Sequence, residues 1–211
     1  MKLLPLWLLI CAIYGCKKDE VITPQRGPDD YYIEFDLNGV KKEYIGNPDL
    51  GYNYYPGLGY YIKEDTVAFT NDSLSNYTYC LFKAVTAPSS KEQVEIVFNV
   101  LDSTGTNHSL FSAVLKPGPL PYIQEDMVNW HTGFEVYYYD ASRKIWSTNY
   151  SGPGQSASTA TITSIQTDTY LGRASFSARV TFNCILYDGL GGSLTITNGH
   201  AHVRGIDELF R

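Results

Sequence analysis

The chain of 211 residues carries 16 basic against 22 acidic side chains, a net charge of −6 at pH 7. A mildly acidic chain without a basic run excludes nucleic acid as an electrostatic partner. Eighteen Tyr and only 18% charged residues point to β structure, and no long run of period 3.5 or 3.6 supports a coiled coil or helical repeats.

Lys2 precedes an apolar run from Leu3 to Ile13, interrupted by Pro5. A membrane-spanning helix needs about 20 such residues, so the run suits the apolar region of a secretory signal peptide instead. It closes on Ile13-Tyr14-Gly15-Cys16, which resembles the lipobox of bacterial lipoproteins. That resemblance implies that residues 1–15 are removed and that Cys16 receives the lipid. Several acyl chains on one residue anchor a protein durably, where one chain holds it only marginally. Lys17-Lys18-Asp19-Glu20 is similar to the lysine-then-acid export signal of surface lipoproteins in Bacteroidota. It favours the cell surface over the periplasmic face of the outer membrane. Residues 16–30, with Pro24, Gly27 and Pro28, read as a solvated tether. Residues 31–211 are long enough for one domain with one core.

From Tyr31 the chain alternates. Tyr31–Leu37 and Val40–Tyr44 flank Asn38-Gly39, the strongest short hairpin signal, since both turn residues must reach positive φ. Val94, Ile96, Phe98 and Val100 share one face, with Glu95 and Asn99 on the other. Ser109–Lys116 and Gln124–Trp130 suit short helical turns. Phe134–Tyr139 and Lys144–Thr148 flank Asp140-Ala141-Ser142-Arg143 as a second hairpin. Ala174, Phe176, Ala178, Val180, Phe182, Cys184 and Leu186 alternate with Ser175, Ser177, Arg179, Thr181 and Asn183, giving one buried and one wet face. Near the end, Asn198-Gly199 follows Leu194–Thr197 and precedes His200–Val203. A two-residue turn there sets Leu194 against Val203 and Ile196 against Ala201. A bulge in one longer strand switches the face in the same way. The expected fold is all-β, an antiparallel β-sandwich or open barrel.

The Phe35-Asp36-Leu37-Asn38-Gly39 hairpin, Trp146-Ser147, the Ser158–Ile165 strand, Ala174-Ser175-Phe176-Ser177 and Leu194–Gly199 occur in an order that resembles the small all-β lipoproteins of Bacteroidota. Relatives often place an aromatic two positions after the late Asn-Gly, where this chain has Ala201. The resemblance implies fold and envelope location, and brings no activity with it.

Cys80 and Cys184 are the two cysteines of the expected domain. An extracytoplasmic setting permits a disulfide between them, and two separate buried thiols fit the sequence equally. His200 and His202 share a strand face, but zinc needs about three or four ligands and the local sequence supplies no third, so no metal is expected. No nucleophile elbow, phosphate loop or other cofactor motif appears, and Glu125-Asp126 are adjacent rather than facing across a substrate. The chain reads as a binding protein before an enzyme, with a glycan hydrolase, built on acidic residues brought together from elsewhere in the chain, as the weaker alternative. Tyr52–Tyr61 sets five Tyr among turn residues. Tyr54, Tyr55, Tyr60 and Tyr61 are the candidate contacts for a glycan, because Tyr pairs an apolar face with a polar edge. The same rings also suit the end of a core, or a partner protein of an envelope complex. Tyr137, Tyr138 and Tyr139 must alternate between faces, and Trp130 and Trp146 suit core anchors.

Overall fold

The computed structural model describes residues 31–46, 61–63, 78–85, 92–102, 115–123, 132–170 and 172–206. Side chains are described for all of these except 46, 61–63, 78–85, 100–102, 170, 173 and 206. Among the described residues there are eleven strands and no helix. They are β1 (Tyr31–Leu37), β2 (Val40–Gly46), β3 (Tyr61–Lys63), β4 (Thr78–Val85), β5 (Gln93–Asp102) and β6 (Gly118–Leu120). There follow β7 (Gly133–Tyr139), β8 (Ile145–Ser147), β9 (Thr159–Tyr170), β10 (Arg173–Tyr187) and β11 (Ser193–Ile206). Nine of them follow the path β2-β1-β11-β10-β8-β7-β5-β4-β3, while β9 pairs with β10 and β6 with β9. All these pairings are antiparallel. The result is a single all-β domain, one sheet that curls over its own core without closing.

Alternation places that core. Ile33 and Phe35 from β1, Ile96 and Phe98 from β5, Phe134 and Val136 from β7, and Phe176 to Leu186 from β10 bury the same side. The two arms meet through aromatic rings: Phe35 lies 6.5 Å from Tyr138, and Phe134 5.6 Å from Phe182. Lys42 and Tyr44 of β2 reach across to Glu92, at 2.8 and 3.4 Å, where Tyr138 also bonds the carboxylate. This polar clasp ties the edge of one arm to the other.

The Asn38-Gly39 hairpin forms as the sequence predicts. Both residues take positive φ, 49° and 80°, and Leu37 pairs with Val40. The second hairpin also forms, with Tyr139 opposite Ile145. The late Asn198-Gly199 is not a turn. β11 runs through it, and the register slips there against both neighbours: Phe182 faces Gly199 while Cys184 faces Ile196, and Glu34 faces His200 while Asp36 faces Thr197. Asn198 takes φ 52° and donates to the Asp36 carboxylate at 2.8 Å. A Cβ on Gly199 would stand 2.5 Å from the Phe182 carbonyl oxygen, so the bulge needs glycine for close approach.

β10 has β11 along one side and two neighbours along the other. β9 covers it up to Asn183, and β8 pairs at Tyr187. At Ile185, between them, the Gln155 amide stands in for a strand. Its Nε2 donates to the Ile185 carbonyl at 2.5 Å, and its Oε1 accepts from the Ile185 N–H at 3.1 Å. Gln124–Trp130 lies outside the described residues, as does Ser109–Lys116 apart from Leu115 and Lys116, which are not helical.

Candidate functional site

The face of β5 and β7 turned away from the core is polar and nevertheless covered. Glu95 is 5% exposed, Asn99 1% and Glu135 7%. The sequence places Glu95 and Asn99 opposite the apolar face, where alternation alone predicts a wet surface. Both sides of this part of the sheet are in fact shielded. Register sets Glu95 opposite Tyr137, and Val97 opposite Glu135, so the two glutamates are diagonal neighbours on one face.

Glu135 is the hub. Its Oε1 accepts from Asn99 Nδ2 at 2.6 Å, and its Oε2 from the Tyr137 hydroxyl at 2.5 Å and from Asn149 Nδ2 at 3.3 Å. Asn149 is delivered by the turn after β8. Thr148 extends the pairing with Val136 through both its N–H and its hydroxyl, each at 3.0 Å, and the Ser147 hydroxyl accepts from the Asn149 N–H at 3.0 Å. Gln93 donates to Glu95 at 3.0 Å, and Tyr139 bonds the same carboxylate with Tyr150 nearby. The three half-buried tyrosines, 137, 139 and 150, flank these acids.

Burial first, and then the charge of Glu135, hold the Tyr137 phenol above its ordinary range. Burial and then Glu95 do the same for Tyr139. Both phenols therefore stay protonated and act as hydrogen-bond donors, not as bases. On the outer side of β1, β2 and β11 there is a second polar feature, an open groove of about 250 Å³ lined by Glu34, Asp36, Lys41, Asn198 and His200. Its charges answer one another, with Lys41 3.5 Å from Glu34 and Asn198 on Asp36.

The residues singled out by sequence fall as follows. Cys16, Tyr54, Tyr55 and Tyr60 lie outside the described residues. Tyr61 opens β3 opposite Leu81, and Cys80 stands in β4 opposite Val100; their side chains are outside the described ones. Cys184 is a free, buried thiol, its pKa pushed up by burial, with the Tyr122 hydroxyl bonded to it. His200 and His202 share a face but not an environment. His200 is exposed, while His202 is packed 4.7 Å from the Tyr31 ring. Tyr138 is buried and Tyr137 and Tyr139 half-buried, as alternation requires. Trp146 packs partly on the core and donates to Asp140 at 3.1 Å. Trp130 is outside the described residues.

The Glu135 cluster was missed by sequence reading because its members are scattered over 51 positions and include amides that form no recognised motif. The usable signal was polar residues on both β5 and β7, in strands too apolar to be fully solvated. Among the described residues no three His, Cys, Asp or Glu side chains gather at one point, and there is no helix long and apolar enough to cross a membrane. Comparison with protein-family models, curated proteins and solved structures finds no match.

Proposed function

We propose that this chain is a lipid-anchored outer-membrane protein, held by Cys16 at the cell surface or on the periplasmic face, whose β-domain binds a glycan without turning it over. The observation that carries the binding reading is the row of half-buried Tyr137, Tyr139 and Tyr150 beside Glu95, Glu135 and Asn149. Tyrosine faces suit the C–H side of a sugar ring, while carboxylates and amides suit its hydroxyls. The lipobox-like end of the signal supports the location. The tyrosines of Tyr52–Tyr61 belong to the same reading as further contacts.

A partner protein of an envelope complex is the second reading. It is favoured by β2, which ends the strand path among the described residues with Val40 61% exposed; an edge strand is a ready pairing surface. A glycan-array and polysaccharide screen with the chain from Asp30 onward separates the two. Binding that is lost in Tyr139→Ala, or in Tyr54→Ala and Tyr60→Ala, with folding intact, supports the glycan reading. Folded protein that binds no glycan sinks it, and pull-downs from envelope extracts then test the partner reading.

A further inference from the structure

We propose that β2 pairs with β2 of a second copy of this chain, antiparallel, about a two-fold axis at Lys42. Among the described residues β2 ends the strand path. Leu37 and Val40 flank a two-residue turn and face each other, so they exchange hydrogen bonds and the ladder alternates from there. The backbone N–H and C=O of Lys41, Glu43 and Ile45 therefore point away from β1, toward the next strand position. Lys41 and Glu43 are exposed, the Lys41 side chain by 65%, and Val40 beside them by 61%.

Charge complementarity selects the occupant. Lysines on an edge strand repel most strands that approach it, and β2 carries Lys41 and Lys42. Its own sequence answers them. With the axis at Lys42, Lys41 of each copy faces Glu43 of the other, and Val40 faces Tyr44 of the other. Opposite charges and aromatic–β-branched pairs across a ladder both stabilise it. Lys42 meets Lys42, but each is already held by Glu92 of its own chain at 2.8 Å. Glu43 gains most from the pairing. It stands directly opposite Glu34 of β1, a destabilising placement of like charges, and makes no ion pair among the described residues, while Lys41 lies 3.5 Å from Glu34. An axis at Lys41 or at Glu43 sets that residue against itself and brings no acid opposite a base. Charge thus fixes the register as well as the partner. Such a two-fold contact is self-complementary and closed, so it stops at the dimer.

One strand edge is a small contact, so the dimer is weak and reversible. The test is analytical ultracentrifugation of the full chain in excess detergent over a series of protein concentrations. The wild-type chain is expected to pass from monomer to dimer. Lys41→Glu turns both cross-copy pairs into acid against acid, and Glu43→Lys turns both into base against base. Each is expected to weaken the dimer roughly tenfold. Mixing the two variants restores both pairs, and the heterodimer is expected to recover the wild-type affinity. The double variant Lys41→Glu with Glu43→Lys is expected to recover it alone, and it tests the register if either single variant does not fold. A chain that stays monomeric at every concentration overturns the proposal. So does a dimer that neither single variant weakens, as association through the N-terminus or another surface would give. Two weakened variants that mixing fails to restore overturn it as well. The readout needs no glycan and no envelope partner, so its failure is separate from failure of either functional reading.

Discussion

Asp140 shapes the second hairpin almost alone. Its Oδ1 accepts from the Ser142 N–H at 2.9 Å, the Ser142 hydroxyl at 2.6 Å and the Lys144 N–H at 3.0 Å, and its Oδ2 takes the Trp146 indole N–H. These bonds, led by the Ser142 hydroxyl, hold the Asp140 carboxyl down to about 2. A carboxyl with a lowered folded pKa stabilises fully above its unfolded value, near 3.8, and loses that contribution as pH falls toward 2. Asp188, held to about 2 chiefly by Lys144, titrates in the same direction. The hairpin is therefore expected to loosen between pH 4 and pH 2, roughly in the window such carboxylates set, with Trp146 emission as the probe. Asp140→Ala should cost roughly 1 kcal/mol at pH 7 and remove the acid transition of that probe; an unchanged profile would place the transition elsewhere. Sequence announced the turn through Asp140 and Ser142, but the Trp146 bond depends on where the returning strand lands. Asn38-Gly39 was fully legible because two residues alone decide a tight turn.

At the scale of the element, β11 shows what local patterning leaves open. A turn and a bulge at Asn198-Gly199 put the same side chains inward, so alternation cannot choose between them. The choice is made by β1, far away in sequence. Asn38 N–H donates to the Thr195 carbonyl at 2.8 Å, Thr195 N–H donates to Asn38 Oδ1 at 2.8 Å, and Asp36 receives Asn198. These contacts hold the chain extended through the bulge. Gly199→Ala is expected to destabilise by roughly 1–3 kcal/mol, because the new methyl meets the Phe182 carbonyl and its buried ring, neither free to move away; urea unfolding measures it. Asn198→Gly, at a position already in the left-handed region, should change stability far less. Ser175 tells the same story from the other direction. Alternation sets it on the wet side of β10, yet it is fully buried, since what covers a face is decided by other segments. The covering of Glu95 and Asn99 could not be read from the alternation of β5 for the same reason.

For the whole molecule, the all-β class and antiparallel pairing could be read from alternation and turn residues. The strand order could not, because β1 beside β11 and β5 beside β7 are long-range choices. Location is a property of the intact chain: Cys16→Ser is expected to release the protein from the membrane fraction, and continued tight attachment would refute lipid anchoring. The clasp at Glu92 joins the two arms. Lys42 first, through its hydrogen bond, lowers the Glu92 pKa. Glu92→Gln should therefore cost roughly 1 kcal/mol near pH 7, an effect that fades as pH falls below the usual carboxylate range.

The Gln155 amide at Ile185 has a consequence for mechanics. Along that side of β10, two blocks of sheet abut and one side chain splices them. Gln155 carries the ladder across Ile185, after β9 ends and before β8 pairs at Tyr187, while the other edge of β10 is laced to β11. Gln155→Leu is expected to cut that splice and leave the Ile185 N–H the first interior amide of β10 to exchange with solvent. If Ile185 stays as slow as Val180, the seam is held from elsewhere. One glutamine thus decides how well the middle of β10 is sealed between its two neighbours on that side.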